Sequence, residues 1–242
     1  MYVESLNMSL GFGTRARIGQ LYPSAGLCDY EIQLMAPEGV QFLTTRVPFK
    51  KTDINQHHAF CAHLEQHAYL LADAGVDLIA VNCTAVTMMA GPERLRRRLL
   101  SATAKPAVTT IDAVLEALPH QNMQRIGLLT PYPLEVRQAE IAYLARRGIE
   151  VVVEHATPCH SPIEQGSLSS QHWFEMAEKF AGQPIDGLLI SCSGIQVAAQ
   201  LQRIEERLQL PVIASNQALL WHCLRQLGIT ERSSGYGSLL AS

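Results

Sequence analysis

The chain has 242 residues, 48% of them apolar, and a formal net charge of −3, which is material for one large or two small α/β domains. Its Lys and Arg residues do not gather beyond Arg94, Arg96, Arg97 and Arg98, read as the wet face of a helix, so nucleic acid is excluded as a partner. No apolar run approaches the ~20 residues of a membrane span, and Met1 to Thr14 lacks the pattern of an export signal, so a cytoplasmic protein with no membrane partner is expected.

In chain order, Arg17 to Pro23 reads as a first strand closed by a proline that cannot continue a ladder. A β-rich run from Val40 to Phe49 follows, then a helix from Asn55 to Ala74 stopped by Gly75. The apolar run from Val76 ends in Asn82-Cys83-Thr84 and reads as a buried parallel strand. Gly91-Pro92-Glu93 opens a helix that ends at Lys105-Pro106, before a short strand Ala107 to Thr110 and a helix Asp112 to Leu118.

At Arg125 the pattern starts again. A strand Arg125 to Pro131, a helix Pro133 to Arg147, a strand Glu150 to His155, a loop Thr157 to Ser167 and a helix Ser169 to Ala181 lead into the apolar run Ile185 to Ile190. That run ends in Ser191-Cys192-Ser193-Gly194; a helix Ile195 to Gln209, a strand to Ala214 and a helix Asn216 to Leu227 complete the chain. Three segments recur: Arg17-Ile18-Gly19 at Arg125-Ile126-Gly127, Val76-Asp77 through Cys83 at Ile185-Asp186 through Cys192, and Pro106-Ala107 at Pro211-Val212. Their offsets are 108, 109 and 105 residues. Alternating strands and helices imply parallel sheets with right-handed crossovers. The expected fold is therefore α/β, with two pseudo-symmetric open parallel-sheet, Rossmann-like domains and the active site in the cleft between them. The expected domains are 1–112 with 217–242, and 113–216.

Ligands of open parallel sheets bind beyond the carboxyl ends of the strands, where both halves place a cysteine. A single buried cysteine is most often structural, and Cys28, Cys61, Cys159 and Cys223 are read so, all six being free thiols. The repeated pair Cys83 and Cys192 is different, because each ends a strand, precedes a helix start and is followed by a hydroxyl residue, Thr84 or Ser193. A helix amino terminus stabilises a thiolate and an anion, so ionised thiols near neutral pH and an anionic ligand are expected. Tyr132 lies beyond the first strand of the second half as a packing or a site residue, and Ser215 and Asn216 stand at a junction where capping and anion binding are compatible. No Cys-x-x-Cys occurs, His63 and His67 lack the glutamate of the zinc-protease pattern, and Gly11-Phe12-Gly13 precedes a strand instead of following one. No metal and no cofactor are expected.

With these residues assembled, the chain resembles the aspartate/glutamate racemase superfamily, in its branch of maleate cis-trans isomerases and arylmalonate decarboxylases. The resemblance rests on Pro23-Ser24, Cys83-Thr84, Thr130-Pro131-Tyr132, Ser191-Cys192-Ser193-Gly194 and Ser215-Asn216-Gln217 before Trp221. It implies a cofactor-free two-cysteine enzyme acting on a small dicarboxylate, with Cys83 adding to a double bond and Cys192 as acid/base. Aspartate/glutamate- or hydantoin-type racemisation and arylmalonate-type decarboxylation are the alternatives; the decarboxylases keep a cysteine only in the second half, which Cys83 does not match. The resemblance further implies substrate contacts from Ser24, Ala25, Gly26, Thr84, Tyr132, Ser193, Gly194, Ser215 and Asn216. The isomerases carry an asparagine where this chain has Ala25-Gly26, and their second-half loop asparagine falls nearest Gln165. Neither cysteine loop brings an Arg or Lys close in sequence, so neutral donors are expected to hold the carboxylates. A homodimer or higher homo-oligomer is also expected.

Overall fold

The structure, a computed structural model, describes residues 11–242. Most of the Met1 to Thr14 segment read for an export signal lies outside them. Strands β1 (Ala16–Pro23), β2 (Val40–Val47), β3 (Leu78–Val81) and β4 (Ala107–Thr109) form one sheet in the order β2-β1-β3-β4. Strands β5 (Arg125–Thr130), β6 (Glu150–Ala156), β7 (Gly187–Ile190) and β8 (Val212–Ala214) form a second in the matching order β6-β5-β7-β8. Every pairing is parallel. The centre strands β3 and β7 are buried along their whole length, which their unbroken apolar runs require, whereas the polar Thr44 to Arg46 and Glu150, Glu154 and His155 fall on the edge strands β2 and β6.

The repeated residues do the same work twice. Asp77 accepts the Arg17 amide at 2.8 Å, and Asp186 accepts the Arg125 amide at 2.7 Å, so each aspartate pins the start of the first strand of its half. Gly19 lets a helix, and Gly127 the turn after a helix, press onto that strand. A Cβ on Gly19 would lie 2.9 Å from Leu71, and one on Gly127 2.5 Å from the Phe180 ring. The helices that follow the last strand of each half, Thr110–His120 and Ser215–Gln226, pack against each other. One apolar core runs through both halves and joins Ile18, Leu78 and Val114 to Ile126, Leu189 and Leu219. Burial of side chains of this size contributes about 1.5–3 kcal/mol each.

Three elements differ from expectation. The helix over Asn55 to Ala74 is two helices, His57–Ala62 and Leu64–Asp73, broken at His63, whose ψ of 33° leaves the helical region. The loop Thr157 to Ser167 contains the helix Pro162–Ser167: Ser161 accepts the Glu164 amide, Pro162 fills the first turn, and Glu164 reaches back to the His160 amide. The helix expected from Ile195 starts only at Leu201, after a 3₁₀ turn at Ala198–Gln200, because the amides of Val197 and Ala198 are drawn aside onto the buried carboxylate of Glu31.

Candidate active site

Beyond β3 the chain runs through Asn82 to Cys83, which takes extended backbone and stands directly before the helix Thr84–Ala90. Beyond β7, Ser191 and Cys192 lead into a turn, and the Gly194 amide donates to Cys192 Sγ at 3.1 Å. The two thiols therefore sit in different settings, and the expectation that each precedes a helix holds for Cys83 alone. Gly194 lies close to Gln165, since a Cβ there would come 2.8 Å from Gln165 Oε1. That same oxygen accepts from Cys192 Sγ at 3.5 Å, while Gln165 Nε2 donates to Thr52 Oγ1 at 2.8 Å.

Both thiols line one cleft. Tyr22, Pro23, Gly26, Phe49, Thr52 and Ala85 join Cys83 on the first-half wall; Tyr132, Pro162, Gln165, Ser193 and Gly194 join Cys192 on the other. The cleft is shut, with a cavity of about 20 Å³ that has room for one water. Among the described residues no Lys or Arg lines it.

Burial governs the ionisation of the site. It pushes the Cys83 thiol up to about 12, against the pull of the Val86 and Ala85 amides, and it raises Cys192 further, against the Gly194 amide and the Tyr132 hydroxyl. The charge Cys83 would carry raises Cys192 further, because two negative charges in one closed cavity repel, while the charge Cys61 would carry raises Cys83. Tyr132 is raised by its own burial and then by the charge Cys192 would carry. The expectation of resting thiolates near neutral pH is thus corrected: in the shut cleft both sulfurs keep their protons, since desolvation outweighs the helix terminus.

The residues expected to bind substrate divide into two sets. Gly26, Tyr132, Ser193 and Gly194 reach the cleft. Ser24 and Ala25 do not, and the turn amides expected to hold carboxylates are already engaged: Ser24 donates to Val47, Ala25 to Phe49 and Gly26 to Pro23. Thr84, Ser215 and Asn216 lie behind the wall, where Thr84 Oγ1 donates to Ser215 Oγ at 2.8 Å. Tyr22, Phe49 and Thr52 are site residues that sequence reasoning missed. The phenol at the end of β1 was the available signal for Tyr22; nothing local marks Phe49 or Thr52, which the chain after β2 carries over the cleft.

Residues 18–240 match a family model described as arylmalonate decarboxylase. The chain belongs to the arylmalonate decarboxylase family. Among relatives in sequence, the maleate isomerase of Geobacillus stearothermophilus is 24% identical over 243 residues, spanning 93% of this chain and 97% of the relative. The arylmalonate decarboxylase of Bordetella bronchiseptica is 23% identical over 223 residues, spanning 90% and 92%. A Nocardia farcinica maleate cis-trans isomerase mutant, solved with a covalently bound succinylcysteine intermediate, shares the fold at TM-score 0.86 and 22% identity, covering 93% of this chain and 98% of that one. In this family member no group of three His, Cys, Asp or Glu able to hold a metal ion occurs among the described residues, and no described helix is long and apolar enough to cross a membrane.

Proposed function

We propose that this member of the arylmalonate decarboxylase family is a cysteine-based maleate isomerase, working without a cofactor on a small dicarboxylate. The observation that carries this reading is the pair of thiols, one from each half, lining a single closed cleft. The Cys83 thiol adds across the alkene: its sulfur bonds one carbon, the other carbon takes a proton from Cys192, and Cys192 recovers one from the Cys83 thiol. The former double bond is now single and rotates. Cys192 then takes the proton of the saturated carbon while passing the proton it holds to the Cys83 sulfur, the carbon–sulfur bond breaks, and the trans alkene leaves with both thiols protonated again. Tyr132 and Ser193 hold the carboxylates as neutral donors, whose grip strengthens in a water-excluded cleft. The relatives named maleate isomerase support the substrate class, as does the succinylcysteine trapped in the Nocardia protein.

We also propose a cytoplasmic homodimer or higher homo-oligomer, with the domain division 1–112 with 217–242 and 113–216. The packing of helix Ser215–Gln226 on helix Glu31–Met35 and on β3 supports that division. The reaction is tested by proton spectra of maleate, aspartate and glutamate incubated with the protein in deuterated water. Conversion of maleate to fumarate is expected; α-proton exchange in an amino acid with no alkene isomerisation would replace this reading by the racemase.

A further inference from the structure

Asn216 was expected to touch substrate, and the structure gives it other work. Its side chain is buried and every polar atom of it is used. Oδ1 accepts from Asn82 Nδ2 at 3.1 Å, while Nδ2 donates to the Ser193 carbonyl at 3.1 Å and to Glu31 Oε2 at 3.4 Å. Asn82 is the residue before Cys83, and Ser193 is the residue after Cys192. One amide side chain thus spans the two thiol-bearing loops, which come from different sheets. Asn82 is itself fixed, donating to Gln20 Oε1 at 2.9 Å, so the bridge is anchored to β1 at its far end.

We propose that Asn216 is a positioning residue that sets the separation of Cys83 and Cys192 and so couples the two halves of the reaction, without contacting substrate. This rests on the two-thiol reading above. The coupling is asymmetric for a chemical reason. After Cys83 adds, the adjacent carbanion can take its proton from any acid, water included, whereas removing a proton from a saturated carbon requires Cys192 at that carbon. A misplacement of about 1 Å in such a group costs up to ~100-fold in rate. Loss of the bridge therefore leaves addition and stalls release.

The test compares wild type with Asn216→Ala and Asn82→Ala, which cut the same bridge from opposite ends, and with the double variant. Steady-state kinetics on maleate, intact-mass spectrometry during turnover and thermal melting are recorded for each. We expect kcat to fall about 10- to 100-fold with KM within about threefold, and a covalent adduct to accumulate in both single variants that is absent from turning-over wild type. The double variant should lose less than the product of the two single losses, since both remove the shared Asn82–Asn216 bond. Asn82→Ala also keeps the test open if Asn216→Ala fails to fold. A raised KM with unchanged kcat would make Asn216 a substrate ligand and overturn the proposal; so would a lowered kcat with no adduct, or losses that multiply in the double variant. Wild type that neither isomerises maleate nor forms an adduct in a Cys192→Ser background would instead overturn the two-thiol reading itself, and this proposal with it.

Discussion

The Tyr22 hydroxyl donates to the main-chain carbonyl of Ser193 at 3.2 Å, carrying a bond from the end of β1 to the turn after Cys192. The same oxygen accepts the Cys28 amide at 3.2 Å. Tyr22→Phe removes both contacts and leaves the buried Cys28 amide unpaired, while the Ser193 carbonyl keeps its bond from Asn216, a loss of about 1–3 kcal/mol. The melting temperature should fall by several degrees, and kcat/KM for maleate by about tenfold as the turn carrying Cys192 loosens. Melting and kinetics unchanged from wild type would show that the bond is not maintained in solution.

The Cys83 thiol, pushed up to about 12, and the still higher Cys192 should resist alkylation at neutral pH. Peptide mass mapping after iodoacetamide treatment should find Cys61, the least buried of the six cysteines, labelled first. Labelling of Cys83 and Cys192 should keep rising with pH beyond 9. Tyr132→Phe removes the hydroxyl that draws Cys192 down, and should slow its labelling further. Labelling of either cleft thiol that levels off near pH 7 would contradict the protonated resting state.

Glu140 is fully buried against Ser191, the neighbour of Cys192, and burial pushes its carboxyl up to about 8 although the Ser191 hydroxyl pulls it down. The folded protein holds a proton there that the unfolded chain gives up near 4.5. The folded pKa is the higher, so the stabilisation is fully present below about 4.5 and is lost as pH rises through about 8. Glu31, raised to about 7 by burial, acts in the same direction. Glu140→Gln should therefore flatten the fall of melting temperature between pH 5 and 9, by an amount on the order of a few kcal/mol. Parallel melting curves for variant and wild type across that range would refute the assignment.

The close approach at Gly127 gives a prediction about the fold alone. Gly127→Ala places a methyl group 2.5 Å from the Phe180 ring and should cost about 1–3 kcal/mol, measured by urea unfolding. Phe180→Leu in the same chain should recover part of that loss. Additive losses in the double variant would show that the ring is not the obstacle.

The duplication, the parallel sheets and the two thiol addresses were legible in the sequence because each is carried by short segments: an unbroken apolar run, an aspartate at its start, a cysteine at its end. The helix Pro162–Ser167 was missed, because the surrounding loop composition hid the start signal that Ser161-Pro162 and Glu164 carry. The break at His63 was not, since helical periodicity continues across it.

What the sequence by itself determined is therefore local: which segments become strands, that they occur twice, and that each copy ends in a thiol. Tertiary structure decided the rest. Whether a thiol is ionised depends on how much water the opposing half removes, and local reasoning from a helix terminus gave the wrong sign for that balance. Whether Asn216 meets substrate or neighbours depends on partners 134, 23 and 185 residues away. Side chains that far apart in the chain meet only once both sheets have packed onto a common core, so no window of sequence around Asn216 contains the groups that saturate it.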